Sequence, residues 1–204
     1  EIKRKINENV FYINTKIYQK PDFEQDIPYK TSSGLLRKLL SDTLKKEITI
    51  GSFMPNKEFK TLYSLPVDTV FRRMMQVSDN MLAEQLLLLA GGKYSDTIST
   101  SLAIKNIQTD LLLDVPQKFN WVDGSGLSRY NLLTPEGLVF LLDRMLKEFP
   151  KERLFSLMSV GGQVGTLKNA YKSGVPFVFA KTGSLSGVYN QSGYLITKSG
   201  RLLI

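Results

Sequence analysis

Two polar motifs constrain the fold of this chain most, because each interrupts an apolar segment. Ser78-Asp79-Asn80 lies between two apolar helical patterns, residues 66–77 and 81–89. Side chains of these three types compete for backbone hydrogen bonds and favour caps and turns, so they predict a corner between two helices. Lys181-Thr182-Gly183-Ser184 follows the apolar strand predicted at residues 176–180. We expect the corner and the strand end to face each other across one cleft.

The chain contains no histidine and no cysteine. Ser-His-Asp and Cys-His sites are therefore excluded, as are zinc sites built from these ligands, and only carboxylate-based metal sites remain. The remaining well-known route is the lysine-assisted serine set, S-x-x-K with S-D-N and K-T-G. Two of these motifs are present. Only Thr43 has a lysine three positions later, Lys46, and it lies in a polar helical stretch, so the nucleophile motif is absent from these residues.

Composition indicates a folded domain with a substantial core, since 42% of the 204 residues are hydrophobic. No apolar run approaches the roughly 18 residues of a membrane span. The net charge of +8 comes from scattered basic residues, which favours a solvated basic surface over a nucleic-acid groove. We expect no nucleic-acid partner, no cofactor and no metal.

The remaining patterns predict a mixture of helices and strands. Residues 10–18 are rich in β-branched and aromatic side chains and predict a strand, and 48–50 predict a short second one. A helix is expected to begin at Ser32 or Ser33. Thr134 with Pro135 is typical of a helix start. Further helices are expected at 96–113, 134–149 and 152–158, and further strands at 188–197 and 201–204.

Three longer motifs extend these observations. They are residues 122–135 (VDGSGLSRYNLLTP), 165–169 (GTLKN) and 180–190 (AKTGSLSGVYN). Together with the Ser-Asp-Asn corner, in this order, they resemble the D-alanyl-D-alanine carboxypeptidase/endopeptidase family of class C, low-molecular-mass penicillin-binding proteins. The resemblance runs from about Ser33 to the C-terminus.

The resemblance implies an α+β fold: a partial penicillin-binding/β-lactamase-like transpeptidase domain with an antiparallel sheet flanked by helices. Its N-terminal strands and its nucleophile helix would be missing. Residues 1–31 would be the tail of an inserted β-rich domain or a linker, and residues 32–204 the C-terminal part of the D,D-peptidase domain. A periplasmic or otherwise extracytoplasmic location is implied as well.

The resemblance also implies roles for individual residues. Ser78 would relay a proton to the leaving amine, and Asn80 would hydrogen-bond the substrate amide. Lys181 would supply positive charge, while Thr182 and Ser184, on either side of Gly183, would offer hydroxyls to the terminal carboxylate. The Ser184 N–H would be half of an oxyanion hole.

The loop near this site is expected to have a structural role. Asp123 lies between Val122 and two glycines, and Ser125 lies between the same two glycines. Asp and Asn in such positions hydrogen-bond the backbone of their own loop. We therefore expect Asp123 and Ser125 to shape the loop, with a general base at Asp123 as the alternative.

The implied function is a serine-type D-Ala-D-Ala carboxypeptidase or endopeptidase that acts on peptidoglycan stem peptides and, at full length, binds β-lactams. Without the S-x-x-K serine, this chain alone is expected to be inactive. Two alternatives remain open: a non-catalytic module that binds D-Ala-D-Ala termini, and a β-lactamase or esterase relative. Because an apolar hairpin with unpaired edges associates readily, a homo-oligomer is a further expectation.

Overall fold

A computed structural model describes residues 2–14, 25, 27–52, 60, 63–117 and 119–204. The chain divides into two compact units, Glu1–Thr61 and Leu62–Ile204. The predicted boundary between residues 31 and 32 stays a prediction. Among the described residues, no helix combines the length and the apolar composition that crossing a membrane requires.

Among its described residues, the first unit contains a strand pair and one helix. Strands β1 (Ile2–Arg4) and β2 (Phe11–Ile13) are antiparallel. Of the strand predicted at 10–18, residues 11–13 form β2, and residues 15–18 lie outside the described residues. Helix α1 (Ser33–Leu44) begins after Ser32, whose side chain accepts the Leu35 N–H. The strand predicted at 48–50 is wrong: the Ile48 N–H is bound by the Ser41 hydroxyl, and no described strand pairs with this segment.

The second unit contains five helices among its described residues. They are α2 (Val67–Val77), α3 (Asn80–Gly91), α4 (Thr100–Leu111), α5 (Pro135–Glu148) and α6 (Lys151–Leu157). The start predicted for α4 is four residues early, because Ser99 caps the helix by accepting the Leu102 N–H. Thr134 caps α5 through the Gly137 N–H, with Pro135 in the first turn, as the sequence predicts.

An antiparallel sheet of four strands, in the order β3-β4-β5-β6, completes this unit. The strands are β3 (Ser159–Val160), β4 (Val178–Leu185), β5 (Val188–Ile196) and β6 (Leu202–Leu203). Sequence patterns predict an end to β4 at residue 180, but the strand runs through the Lys-Thr-Gly motif, because β5 pairs with it as far as Leu185 and Val188. The predicted α+β class with an antiparallel sheet is confirmed.

The main core lies between the sheet and helices α5 and α6. Leu142, Leu154, Phe155, Met158 and Tyr194 form a buried cluster. Phe155 stacks on Phe179 of β4 with ring centroids 4.1 Å apart, and the buried Tyr194 hydroxyl donates to the Leu142 carbonyl at 2.8 Å. Phe179 and Lys181 share a face of β4, since strand side chains alternate. This packing therefore fixes the strand that carries the lysine.

Candidate active site

The corner between α2 and α3 holds Ser78 in an unusual backbone conformation. Ser78 has φ 58° and is the C-cap of α2, with its N–H donating to the Met74 carbonyl. Asp79 then caps α3 by accepting the Leu82 N–H at 3.1 Å. A left-handed residue at a helix end is common, but for a residue other than glycine it costs free energy. Here it turns the chain sharply between two helices and places the Ser78 side chain toward the sheet.

The opposite wall is strand β4, whose backbone direction follows from two hydrogen bonds. The Ile196 N–H donates to the Phe177 carbonyl on the β5 side, and the Gly161 N–H donates to the Val178 carbonyl on the other side. Since backbone groups alternate along a strand, Thr182 and Ser184 direct their N–H and C=O groups away from β5. Strand β3 pairs with β4 at Phe179 and Ala180. No described strand pairs with the edge beyond them.

The two motifs meet through Lys181. Its ammonium group donates hydrogen bonds to the Ser78 hydroxyl and to the Thr182 carbonyl. A pocket of about 450 Å³ lies between the two walls. It is lined by the corner, by the neighbouring loop and by the strand end: Ser78, Asp79, Asn80, Gly124, Ser125, Gly126, Leu127, Lys181, Thr182, Gly183 and Ser184. The cleft expected from the sequence is therefore present.

Burial changes the chemistry of Lys181. It lowers the pKa of the Lys181 ammonium below its ordinary value, because desolvation disfavours the charged form. A partly desolvated ammonium attracts an anion more strongly than one in water does. It also gives up a proton more readily. Lys181 is therefore suited both to binding an anionic group and to moving a proton through Ser78.

The loop 123–128 also lines the pocket beside the Ser78 corner, and two carboxylates hold it in place. Glu84 of α3 accepts the Ser125 N–H at 2.9 Å and the Gly124 N–H at 3.2 Å. Hydrogen bonds from the Ser125 side chain and from these two amides hold the pKa of Glu84 below its ordinary range. Gly124 passes so close to α3 that a Cβ atom there would lie 2.7 Å from the Ala83 carbonyl oxygen.

Asp123 uses both of its carboxylate oxygens within this loop. It accepts the Gly126 N–H at 2.6 Å and the Ser128 N–H at 2.7 Å, and also the Asn131 side-chain amide. These bonds fit the loop-shaping interpretation of Asp123 rather than a role as general base. Among the described residues, no group of three or more acidic side chains is placed to hold a metal ion.

Sequence reasoning missed two residues at the site. Glu84 follows Asn80 by four positions in α3, so it lies on the same helix face, and this spacing was a usable signal. Thr166 also lines the pocket, and the Thr182 hydroxyl lies 2.7 Å from the Thr166 hydroxyl. Thr166 belongs to the 3-10 helix Gly165–Leu167, and no local pattern indicates that this turn reaches the pocket.

Comparison with known proteins places these features in a family. Residues 29–204 match the family model described as the D-Ala-D-Ala carboxypeptidase 3 (S13) family. The D-alanyl-D-alanine carboxypeptidase DacB of Haemophilus influenzae is 31% identical over 147 residues, which are 67% of this chain and 30% of that protein. Penicillin-sensitive carboxypeptidase A of Dictyostelium discoideum is 29% identical over 153 residues, which are 70% of this chain and 28% of that protein.

Comparison with solved structures also finds a DacB protein of H. influenzae. The crystal structure of penicillin binding protein 4 (dacB) from H. influenzae matches with a TM-score of 0.60 and 31% identity, over 67% of this chain and 32% of that one. The crystal structure of its complex with a novel β-lactam matches with a TM-score of 0.66 and 27% identity, over 83% of this chain and 42% of that one. The chain thus spans about a third of the length of the curated relatives it matches.

Proposed function

Because this chain belongs to the D-Ala-D-Ala carboxypeptidase 3 (S13) family, we propose that its pocket forms two walls of a serine-type D,D-peptidase active site. The substrate is a peptidoglycan stem peptide ending in D-Ala-D-Ala, and the setting is extracytoplasmic. The observation that carries the proposal is the hydrogen bond between the Lys181 ammonium and the Ser78 hydroxyl, which joins the two motifs inside one pocket.

The free edge of β4 suits an extended peptide. Thr182 and Ser184 direct backbone groups toward the pocket, and a peptide that adds to a strand edge binds through such groups. Lys181 lies beside this edge and favours a substrate that ends in a carboxylate. Ser184 is exposed, so its hydroxyl is available to donate to the same carboxylate. The chemistry at this edge therefore matches the free C-terminus of a stem peptide.

The hydrogen-bond directions at Ser78 support a proton relay. An ammonium group can only donate, so Ser78 accepts from Lys181 and its own hydroxyl hydrogen is free to point into the pocket. When Ser78 gives that hydrogen to a leaving amine, Lys181 can replace it. Asn80 lines the same pocket and is exposed, so its amide can bind the substrate backbone.

The nucleophile in this proposal is a serine outside these 204 residues. The sequence has one Ser/Thr-x-x-Lys match, Thr43 with Lys46, and Thr43 lies in α1 of the first unit, whereas the described residues that line the pocket belong to the second. The chain alone is then expected to bind D-Ala-D-Ala peptides without cleaving them. It is also expected to form no covalent adduct with penicillin.

The test has two arms. The reading frame upstream of Glu1 is examined for a Ser-x-x-Lys segment, and the polypeptide that carries both parts is assayed for release of D-alanine and for labelling by fluorescent penicillin. We expect release and labelling for that polypeptide and neither for the 204-residue chain. A labelled serine within this chain, or a long polypeptide that neither releases D-alanine nor is labelled, would contradict the proposal.

A second candidate function is a binding module for D-Ala-D-Ala termini. The observation that favours it is that Lys181, Thr182 and Ser184 line the pocket without any contribution from a nucleophile. Penicillin separates the two candidates, because a binding module would remain unlabelled even in the longer polypeptide. The Asp-Gly-Ser-Gly-Leu-Ser loop, held by Glu84 and Asp123, weighs against a β-lactamase or esterase relative.

A further inference from the structure

Trp121, the only tryptophan of the chain, connects the pocket loop to the core of the second unit. Its ring packs against the buried cluster of Leu87, Ala103 and Ile104, which α3 and α4 contribute. Its indole N–H donates to the backbone carbonyl of Asp123 at 2.6 Å. Trp121 is not one of the described residues that line the pocket, so it reaches a ligand through the loop and not by direct contact.

The hydrogen bond from Trp121 has one possible direction. An indole N–H can only donate and a carbonyl oxygen can only accept, so no hydrogen position has to be assumed. The ring is held by its packing against the cluster. The backbone beside it is held as well, because Asn120 and Leu132 exchange two backbone hydrogen bonds, of 2.9 and 2.8 Å. The donor is therefore fixed where the loop begins.

The carbonyl that accepts this bond belongs to a peptide group that is held on both sides. In a trans peptide the C=O and the N–H point in opposite directions. The N–H of the same group, that of Gly124, donates to the Glu84 carboxylate at 3.2 Å. Rotation of the Asp123–Gly124 peptide group would break both bonds at once. Because glycine tolerates many backbone conformations, these bonds hold an orientation that the chain itself does little to fix.

The orientation of this peptide group matters because one wall of the pocket starts at it. Gly124, Ser125, Gly126 and Leu127 all line the pocket. Glycine loses more conformational freedom on ordering than any other residue, so a loop with two glycines is costly to order. A site that is already ordered before its ligand arrives binds that ligand more tightly. Anchoring the first peptide group of the loop therefore favours binding.

From these contacts we infer that Trp121 is a positioning residue for the pocket: its indole N–H holds the Asp123–Gly124 peptide group and, through it, the loop wall that a ligand meets. The inference rests on the proposed function for the identity of the ligand. It gives the tryptophan a task beyond packing, since a phenylalanine could pack against the same cluster but could not donate to the Asp123 carbonyl.

The first test needs no ligand and uses hydrogen exchange measured by NMR on the 204-residue chain. Trp121→Phe keeps an aromatic ring and removes the donor. We expect the Gly124 amide hydrogen to exchange about fivefold faster in this variant, the ratio that corresponds to one net hydrogen bond. Replacement of Trp121 by 3-benzothienylalanine, which keeps the bicyclic ring and has sulfur in place of the N–H group, should give the same result.

Ile107→Val is the matched control, because Ile107 packs against the same buried cluster from α4. It should lower the melting temperature, as the loss of buried apolar volume does, and leave the exchange of the Gly124 amide unchanged. If Trp121 served packing alone, its two variants would behave like this control. A lower melting temperature with unchanged Gly124 exchange in both Trp121 variants would therefore overturn the inference.

The second test measures the binding of an N-acetylated peptide ending in D-Ala-D-Ala. Both Trp121 variants should bind it about fivefold more weakly than the unsubstituted chain, the same ratio as for one net hydrogen bond, while Ile107→Val should bind it equally well. In the unsubstituted chain, the single indole N–H resonance should shift as the peptide saturates the pocket.

Equal affinities for the Trp121 variants and the unsubstituted chain would contradict the inference, and so would an indole resonance that does not move at saturation. If no form of the chain binds the peptide, the proposed function fails. The exchange of the Gly124 amide then still decides whether Trp121 holds the loop.

Discussion

At the scale of single residues, Lys181 is the group on which most of the site chemistry depends. It contacts Ser78 from a partly buried position, and burial lowers its pKa. Only the protonated form attracts a carboxylate. The affinity for a peptide ending in D-Ala-D-Ala should therefore fall as the pH rises through this lowered pKa, at a lower pH than the value of 10.5 for an ordinary lysine would give.

Titration calorimetry between neutral and alkaline pH measures this dependence. Lys181→Met serves as the matched control, since it keeps the aliphatic chain and should bind weakly with little dependence on pH.

The stability of the fold should change in the opposite sense to affinity. A lysine whose folded pKa is lowered holds fewer protons when folded, so unfolding free energy rises as pH increases from the folded pKa toward 10.5. A peptide affinity that stays constant from neutral pH up to pH 10.5 would contradict this account of Lys181.

At the scale of elements, the loop 123–128 depends on a carboxylate from a neighbouring helix. Glu84→Gln leaves one acceptor oxygen where the carboxylate has two, so one of the hydrogen bonds from Gly124 and Ser125 becomes neutral and weaker and the other is lost. We expect the amide hydrogens of Gly124 and Ser125 to exchange about tenfold faster at neutral pH, roughly the effect of losing one hydrogen bond. Hydrogen exchange measured by NMR checks this, with the exposed Gln85→Ala in the same helix as a control without effect.

The pH dependence of the same exchange follows from the lowered pKa of Glu84. A carboxylate with a lowered folded pKa stabilises the fold above its unfolded pKa, and this contribution is lost as pH falls through the folded value. The difference between Glu84→Gln and the unsubstituted chain should thus disappear in acid. If the loop amides exchange equally in both proteins at neutral pH, Glu84 does not hold the loop.

The elements also show what sequence patterns can and cannot predict. The corner at Ser78 and the cap at Thr134 were predictable, because capping depends on side chains next to the helix they end or begin. The end of β4 was not, because Gly183 continues the strand only through its pairing with β5. Strand β3 has two residues and exists through its pairing with Ala180 and Phe179.

At the scale of the whole molecule, the open edge of β5 predicts self-association. Strand β6 pairs with β5 at Leu195 and Ile196, and no described strand pairs with that edge from Val188 to Tyr194. Unpaired edges with apolar side chains template contacts between chains. Light scattering should show an average mass that increases with concentration. Tyr189→Lys, which places a charge on this edge, should reduce that increase.

Tyr130→Lys is the control for this experiment, since Tyr130 is also largely exposed but lies outside the sheet. It should leave the association unchanged. A stable monomer at all concentrations, or equal effects of the two lysine substitutions, would show that the strand edge does not mediate association.

The Ser78 corner and the Lys181 strand end line one pocket, and we propose that this pocket binds a D-Ala-D-Ala terminus. Chemical-shift mapping by NMR, with an N-acetylated D-Ala-D-Ala peptide added to the chain, tests this claim. We predict saturable shifts at Ser78, Asn80 and residues 181–184, and much smaller ones with the L-Ala-L-Ala peptide. Shifts confined to other surfaces, or equal responses to the two peptides, would contradict the claim.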